Sequence, residues 1–494
     1  MSLTRPVTSR KISHLLLTGH NPFSPPSSSS SSSSPSSYRQ SPSNPCLTRI
    51  PFKTWLSQIG REIDTFNGPL SYQINSISTS PSSHTLISYK NFKGIDRVLS
   101  LGRNESGQLG IGFCSQEGTR GLLEGFKGES ILDLKTGNQS SWLLIKQDEK
   151  SNKLYSIGNL SRGKLGLPQL YSSSTTSEEE EEREPVMKVL PRATLVDTVE
   201  LEEKSGKILQ IESGFEHLLI LTESGDLYGC GCNTDGQLSI LPPRDVYSLT
   251  KIELPKEIVT QQGGIEKIVA GGDTSGLITK SGKLFTWGNS EYSQAGQGKK
   301  IDQILQPLIV PLPEETRIID YKCGGSFGIL LDGYGALGYL PTSPTTSSSS
   351  TDNNHYNPIP TLVPTLSSST IGLTSPITRI RACSNYAVAI SDKPTTSGGG
   401  GGGKLWSWGI NSPFGRLGLG SISRDRDNNG EGSRGMKVEP FVIEPRELRI
   451  PFQELGIQQH NDEEEGGKCN WEIGIVELGS DGMWVEIKEE KEIL

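Results

Sequence analysis

Two segments nearly spell a phosphate-binding loop, Gly-x-x-x-x-Gly-Lys-Ser/Thr. Residues 158–165 read GNLSRGKL and residues 398–405 read GGGGGGKL. Both put Leu where a hydroxyl would have to hold magnesium, and neither opens a helical pattern. Residues 324–328, GGSFG, match the Gly-x-Ser-x-Gly nucleophile elbow. That elbow needs a helix after its serine, whereas Ser326 is followed by ILLD, a strand pattern. Cys230 and Cys232 sit two apart, as half a zinc site would, but no second Cys/His pair has zinc spacing. His217, in SGFEHLLIL, reads better as an anchor for neighbouring backbone than as a base. No catalytic, cofactor-binding or metal-binding residue is assigned, and the chain is not expected to be an enzyme.

Apart from residues 398–405, which read as a glycine linker, these segments are parts of a larger recurring unit. An apolar-Gly step, a polar turn and a second apolar-Gly stretch appear in LGRNESGQLGIG, IGNLSRGKLGLP, CGCNTDGQLSIL, WGNSEYSQAGQG and WGINSPFGRLGLG. Self-similarity at roughly 50-residue spacing marks a repeat architecture. Upstream of each turn lies a small-residue step followed by four or five apolar residues. Seven such units occur: SSHTLISY, GNQSSWLLIK, SGFEHLLILT, GGDTSGLIT, CGGSFGILLD, ACSNYAVAIS and LGSDGMWVEI. Each is short enough for a buried strand. Turns such as ESGD and KSGK then lead to a second strand, LYGCG or LFTWG, which makes a hairpin. A lone hairpin cannot cover its apolar faces, but four-stranded blades set radially around an axis can. Small residues at the head of each unit suit the crowded axis. Ser213, Ala270, Cys323 and Cys383 fill that slot. Trp287, Trp406 and Trp408 suit the wider space between blades.

Composition agrees. Glycine is abundant (57 of 494 residues), as tight turns require. A net charge of −8 argues against a nucleic-acid-binding surface over the whole molecule. No apolar run approaches the roughly 18 residues of a membrane span. Seven cysteines without a paired framework point to a reducing interior. The first 61 residues hold no Asp or Glu, while Arg5, Arg10, Lys11, Arg39, Arg49, Lys53 and Arg61 are basic and serine dominates. That is the pattern of an organellar transit peptide. Residues 1 to about 50 are therefore expected to stand outside the fold as a disordered, probable transit segment, with a propeller over 51–494. Disordered insertions are expected at about 169–205, which carries SEEEEEREP, and at 341–370, 393–403 and 421–440.

The repeat resembles that of the regulator of chromosome condensation (RCC-type) family. The match is best in SGFEHLLILTESGDLYGCGCNTDGQL (213–238) and AGGDTSGLITKSGKLFTWGNSEYSQAGQG (270–298). The resemblance covers about residues 80 to 490 and implies an all-β, seven-bladed β-propeller. The fifth unit is degenerate: GYGALGYL (333–340) keeps a strand and loses the Gly turn. The seventh lacks its second half, so one blade should be completed by both termini, with FKTWLSQIG (52–60) as the closing piece. The resemblance further implies a monomeric, non-catalytic scaffold binding protein or ribonucleoprotein partners. In mitochondria these would be the ribosome or respiratory-complex assembly machinery. The alternatives it implies are a guanine-nucleotide exchange factor for a small GTPase and a chromatin-associated protein in the nucleus. No cofactor is expected. The segment FCSQEGTRG (113–121) departs from repeat filler and is a candidate partner-facing loop.

Overall fold

The computed structural model describes residues 8–20, 43–49, 73–80, 84–91, 93–126, 129–171, 185–332, 360, 363, 366, 376–392, 403–412, 415–419, 440–455, 471–480 and 482–493. It is an all-β propeller. Seven antiparallel sheets follow one another, six of them four-stranded. Blade 3 shows the plan, with Ile208–Ser213 innermost, then His217–Thr222, Leu227–Gly231 and Val246–Ile252. Blades 1, 2, 4 and 6 begin at Gln73, Ile131, Ile265 and Arg379. Blade 5 has two described strands, Ile318–Cys323 and Gly328–Asp332. The degenerate GYGALGYL that follows lies outside the described residues.

Side-chain alternation explains why the second strands read as unbroken apolar runs. In blade 3, Leu218 and Ile220 pack with Trp142, Leu144 and Leu154 of blade 2. Leu219 and Leu221 pack with Ile268, Leu277 and Trp287 of blade 4. A strand buried on both faces has no polar side to alternate with. Trp142, Trp287 and Trp408 are wholly buried between blades.

Blade 7 corrects the expected boundaries. Its sheet runs Trp471–Leu478, Met483–Ile493, Thr8–His20, Ser43–Arg49 from first to last. Both termini do complete one blade. The closing strands, however, come from the segment expected to be excluded, while FKTWLSQIG lies outside the described residues. Leu16 packs with Trp408, Met483 and Val485. Leu15 and Leu17 pack with Ile77, Ile87 and Leu101 of blade 1. Burial on both faces outweighs the local polar composition.

The expected insertion at 169–205 is also too wide. Val189–Leu195 is the outer strand of blade 2, and Val199–Ser205 is a short helix whose Leu201 is buried. The acidic run at 177–184 lies outside the described residues, as do most of 341–370, 393–403 and 421–440. Leu366, within 341–370, is buried against blade 6.

Candidate functional site

The Gly-turn is a polar cage. In blade 3, Asn233 Oδ1 accepts from Leu238 N (2.8 Å) and Gln237 Oε1 accepts from Asp235 N (2.9 Å). Asn104 and Gln108 do the same for Leu109 N and Ser106 N in blade 1. The cage fixes the Gln237 carbonyl so that it points at blade 4, where it accepts from Trp287 Nε1 (2.9 Å) and Ser275 Oγ (2.7 Å).

Ser275 in turn lies 2.9 Å from His217 Nε2. Because its own hydrogen goes to the Gln237 carbonyl, it accepts from Nε2–H, and this sets the tautomer. Blades 1 and 2 repeat the device. His84 Nε2 meets Ser141 Oγ at 2.9 Å, and Ser141 donates to the Gln108 carbonyl at 3.0 Å. A serine–histidine pair at this distance has the spacing of a nucleophile and its base. Here both members are fully buried, and the hydroxyl hydrogen is committed to a carbonyl. Burial pushes both imidazoles down to about 3. They are neutral clips between blades: the His217 imidazole bonds Ser275 of the neighbouring blade and its Nδ1 has no hydrogen-bond partner among the described residues, so the expected anchoring of adjacent backbone by this side chain is not seen. Ser275→Ala should cost about 1–3 kcal/mol by stranding the buried His217 Nε2–H and removing one of the two donors to the Gln237 carbonyl. Denaturant unfolding checks this, and an unchanged midpoint would contradict it.

The other chemically suggestive residues are spent in the same way. Lys164, of the loop-like GNLSRGKL, is wholly buried and donates to the Asn138 carbonyl (3.0 Å) and Glu216 Oε1 (3.1 Å). Two of its three N–H donors are committed, one of them to a carboxylate, and the ammonium is shut off from any phosphate outside by burial. Lys404, at the end of the six-glycine run, begins a strand and pairs with Glu447 at 3.1 Å. Ser326 donates to Asn385 Oδ1 of blade 6. Cys230 is buried, and burial pushes its thiol up to about 12. Cys232 faces Gln237 Nε2 and Thr234 Oγ1. No group of three metal-ligating side chains occurs among the described residues.

The first strands of all seven blades line an axial cavity of about 340 Å³, with Ser213, Ala270, Cys323 and Cys383 in its wall. Its charges are matched, with Lys135, Lys322 and Arg381 against Asp133, Glu212 and Glu477: Lys135 meets Glu212 at 3.1 Å and Asp133 at 3.4 Å, and Arg381 lies 3.7 Å from Glu477. Burial works to raise the Glu212 carboxyl, but Lys135 and Lys322 outweigh it and hold the group below its ordinary value. At Glu477 burial wins over Arg381 and the value rises. These pairs compensate one another within the wall and leave no clear excess charge facing the axis.

The exposed apolar side chains are elsewhere. Phe113 (53% exposed), Met187, Leu241 (55%) and Tyr292 (41%) lie in the connections between third and fourth strands of blades 1 to 4, with Ile410 and Phe441 flanking the same connection in blade 6. In an up-and-down sheet these connections all emerge at one end. The expected loop at 113–121 is mostly strand, Ser115–Leu122, but Phe113 itself projects. The opposite end exposes Val199 and Val259 on two short helices, and the strand ends there expose the aliphatic Leu132, Leu195, Leu209, Leu308, Ile309 and Ile319; what sets the third-to-fourth connections apart is the exposed aromatics Phe113, Tyr292 and Phe441.

Two models described as "Regulator of chromosome condensation (RCC1) repeat" match residues 208–237 and 281–331. The first match contains His217 and the cage residues Asn233, Asp235 and Gln237 of blade 3. This chain carries RCC1-type repeats. RCC1-like G exchanging factor-like proteins of Mus musculus and Homo sapiens are 24% identical to it over 369 residues, 68% of this chain and 68% of each relative. The mitochondrial RCC1 domain-containing protein RUG3 of Arabidopsis thaliana is 28% identical over 222 residues, 43% of this chain and 44% of the relative. Among solved structures, human WBSCR16 gives a TM-score of 0.62 at 21% identity, covering 96% of this chain and 98% of its own. Yeast RCC1 (Prp20) bound to Kap60 gives 0.61 at 15%, covering 98% and 90%. At those identities the structures establish the propeller alone. No helix among the described residues is long and apolar enough to cross a membrane.

Proposed function

We propose that this RCC1-repeat propeller is a non-catalytic scaffold that binds a protein or ribonucleoprotein partner through the connections between third and fourth strands. One observation carries the reading. The side chains that could do chemistry are committed to contacts within and between blades, while large apolar side chains stand exposed in these connections at one end of the ring. Exposed aromatic and aliphatic anchors of this kind dominate binding energy at interfaces. The compartment we propose is the mitochondrion. Support comes from the acid-free, Arg- and Ser-rich start of the chain and from the likeness to RUG3. Ribosome or respiratory-complex assembly machinery would be the partner there. Proximity labelling from the native compartment tests the reading. Recovery of no partner above a blade-unfolded control would sink it.

The second reading is guanine-nucleotide exchange on a small GTPase, favoured by the names of the mouse and human relatives. Exchange works by wedging apart a partner's phosphate and magnesium contacts, so it needs no catalytic side chain on the propeller. The scaffold reading predicts that purified protein leaves nucleotide release from candidate GTPases unchanged. A tenfold or greater acceleration for any one of them would replace scaffold by exchange factor. A chromatin role has less support, because the basic residues of the first 61 positions are scattered and the chain as a whole is acidic.

A further inference from the structure

We infer that the mature protein keeps Thr8–His20 as its ring-closing strand, so that any cut by a processing peptidase falls before Thr8. The inference deepens the compartment reading above, because it concerns the segment that reads as a leader.

The pairing is extensive. Ten consecutive residues, from Thr8 opposite Ile493 to Leu17 opposite Trp484, run antiparallel to the last strand of the chain. In register Lys11 stands opposite Glu490 but Arg10 stands opposite Lys491, so the hold of this pairing rests on its ladder and buried contacts rather than on charge. Two polar links are shielded from water. Ser13 Oγ donates to Glu486 Oε1 at 2.6 Å, and His14 Nε2 meets Glu489 Oε2 at 3.0 Å. Thr18 Oγ1 donates to the Arg416 carbonyl in blade 6 and accepts from Met483 N. Leu16 faces blade 6 while Leu15 and Leu17 face blade 1. This strand thus joins the last blade to both neighbours.

Removing it would leave Trp471–Leu478 and Met483–Ile493 as a two-stranded hairpin, which is marginal by itself. Glu486, wholly buried, would lose its Ser13 partner. A leader discarded at about residue 50 would therefore open the ring. The same residues are read unfolded during targeting and are consumed by folding afterwards, so ring closure follows import.

The test has two arms. In the first, protein carrying a C-terminal tag is purified from its cell, its N-terminal peptide is identified by mass spectrometry, and its compartment is recorded by imaging. A first residue at or before Thr8 is expected. A folded protein beginning after His20 overturns the inference. The compartment result is separate: cytosolic protein that retains Thr8 defeats the mitochondrial reading alone, and organellar protein beginning near residue 50 defeats retention alone.

In the second arm a protease site replaces part of the serine run at 27–34 in the full chain. After cleavage, the fragment bearing Thr8–His20 should co-elute with the ring in native buffer and separate in denaturant. Leu16→Asp should release it without denaturant. Release from the unsubstituted ring, with the remainder still folded by circular dichroism, contradicts a structural role.

Discussion

Gly231→Ala is expected to destabilise the propeller by at least about 3 kcal/mol, while Gly225→Ala should cost about 1 kcal/mol. Both glycines have positive φ, +108° and +86°. A Cβ at Gly225 meets nothing within 4 Å, so only backbone strain is added. A Cβ at Gly231 lies 2.3 Å from the Glu216 carbonyl oxygen and 2.8 Å from the His217 Cα, and backbone cannot yield as a side-chain tip can. The close approach is functional to the fold, because the same carbonyl accepts from Cys232 N at 2.8 Å. Gly158, Gly288 and Gly409 repeat it against the carbonyls of Gln139, Asp273 and Asn385. That contact is the reason a glycine stands last or last but one in the third strands of blades 2, 3, 4 and 6. Urea unfolding of the two variants side by side checks the difference; equal midpoints would contradict it.

Acid should weaken the fold well before most carboxylates titrate. His84 and His217 have folded values of about 3 against an ordinary 6.5. A histidine whose folded value is depressed adds stability that is complete above pH 6.5 and shrinks as pH falls towards 3, because the unfolded chain takes up the proton. At pH 5 each loses about 2 kcal/mol, and the pair about 4 kcal/mol. Asp273 works in the opposite sense. Burial, then the nearby Asp235 and Glu216, raises its carboxyl to about 6, so it returns about 1 kcal/mol at pH 5. The net loss from pH 7.5 to 5 is about 3 kcal/mol from these three groups. A His84→Gln, His217→Gln double variant should be less stable at pH 7.5 yet lose about 4 kcal/mol less on acidification. Parallel pH profiles for the two proteins would show that the clips do not titrate as described.

Seven units, their spacing and the all-β class were legible because each blade writes its own local pattern. The apolar run HLLILT and the turn NTDGQL carry their geometry within a few residues. The clip was half legible. His217 stood out, but its partner Ser275 is 58 positions away, and nothing local marks a serine that must meet a histidine of the preceding blade. The closing strands of blade 7 were missed for a similar reason. Thr8–His20 has Leu15, Leu16 and Leu17 in sequence, which reads as a leader's apolar end. In the fold those leucines face alternate neighbours, and their pairing partner lies more than 460 residues away. One signal was available: a basic, acid-free start opposite an acid-rich end. The outer strand Val189–Leu195 was hidden by its proximity to SEEEEEREP. The exposed Phe113, Leu241 and Tyr292 recur in the same connection, but exposure cannot be read from residue type.

The account's central claim is that recognition resides in these exposed connections and that the reactive-looking residues are scaffold. The most direct measurement is quantitative partner capture from the native compartment, comparing Phe113→Ser with Tyr292→Ser in one chain against Ser326→Ala in another, both verified as folded. The double substitution is expected to reduce recovery of specific partners at least tenfold, the loss of about 1.4 kcal/mol or more at an interface anchor, while Ser326→Ala leaves it unchanged. Undiminished capture by the double variant, together with loss on Ser326→Ala, would contradict the claim.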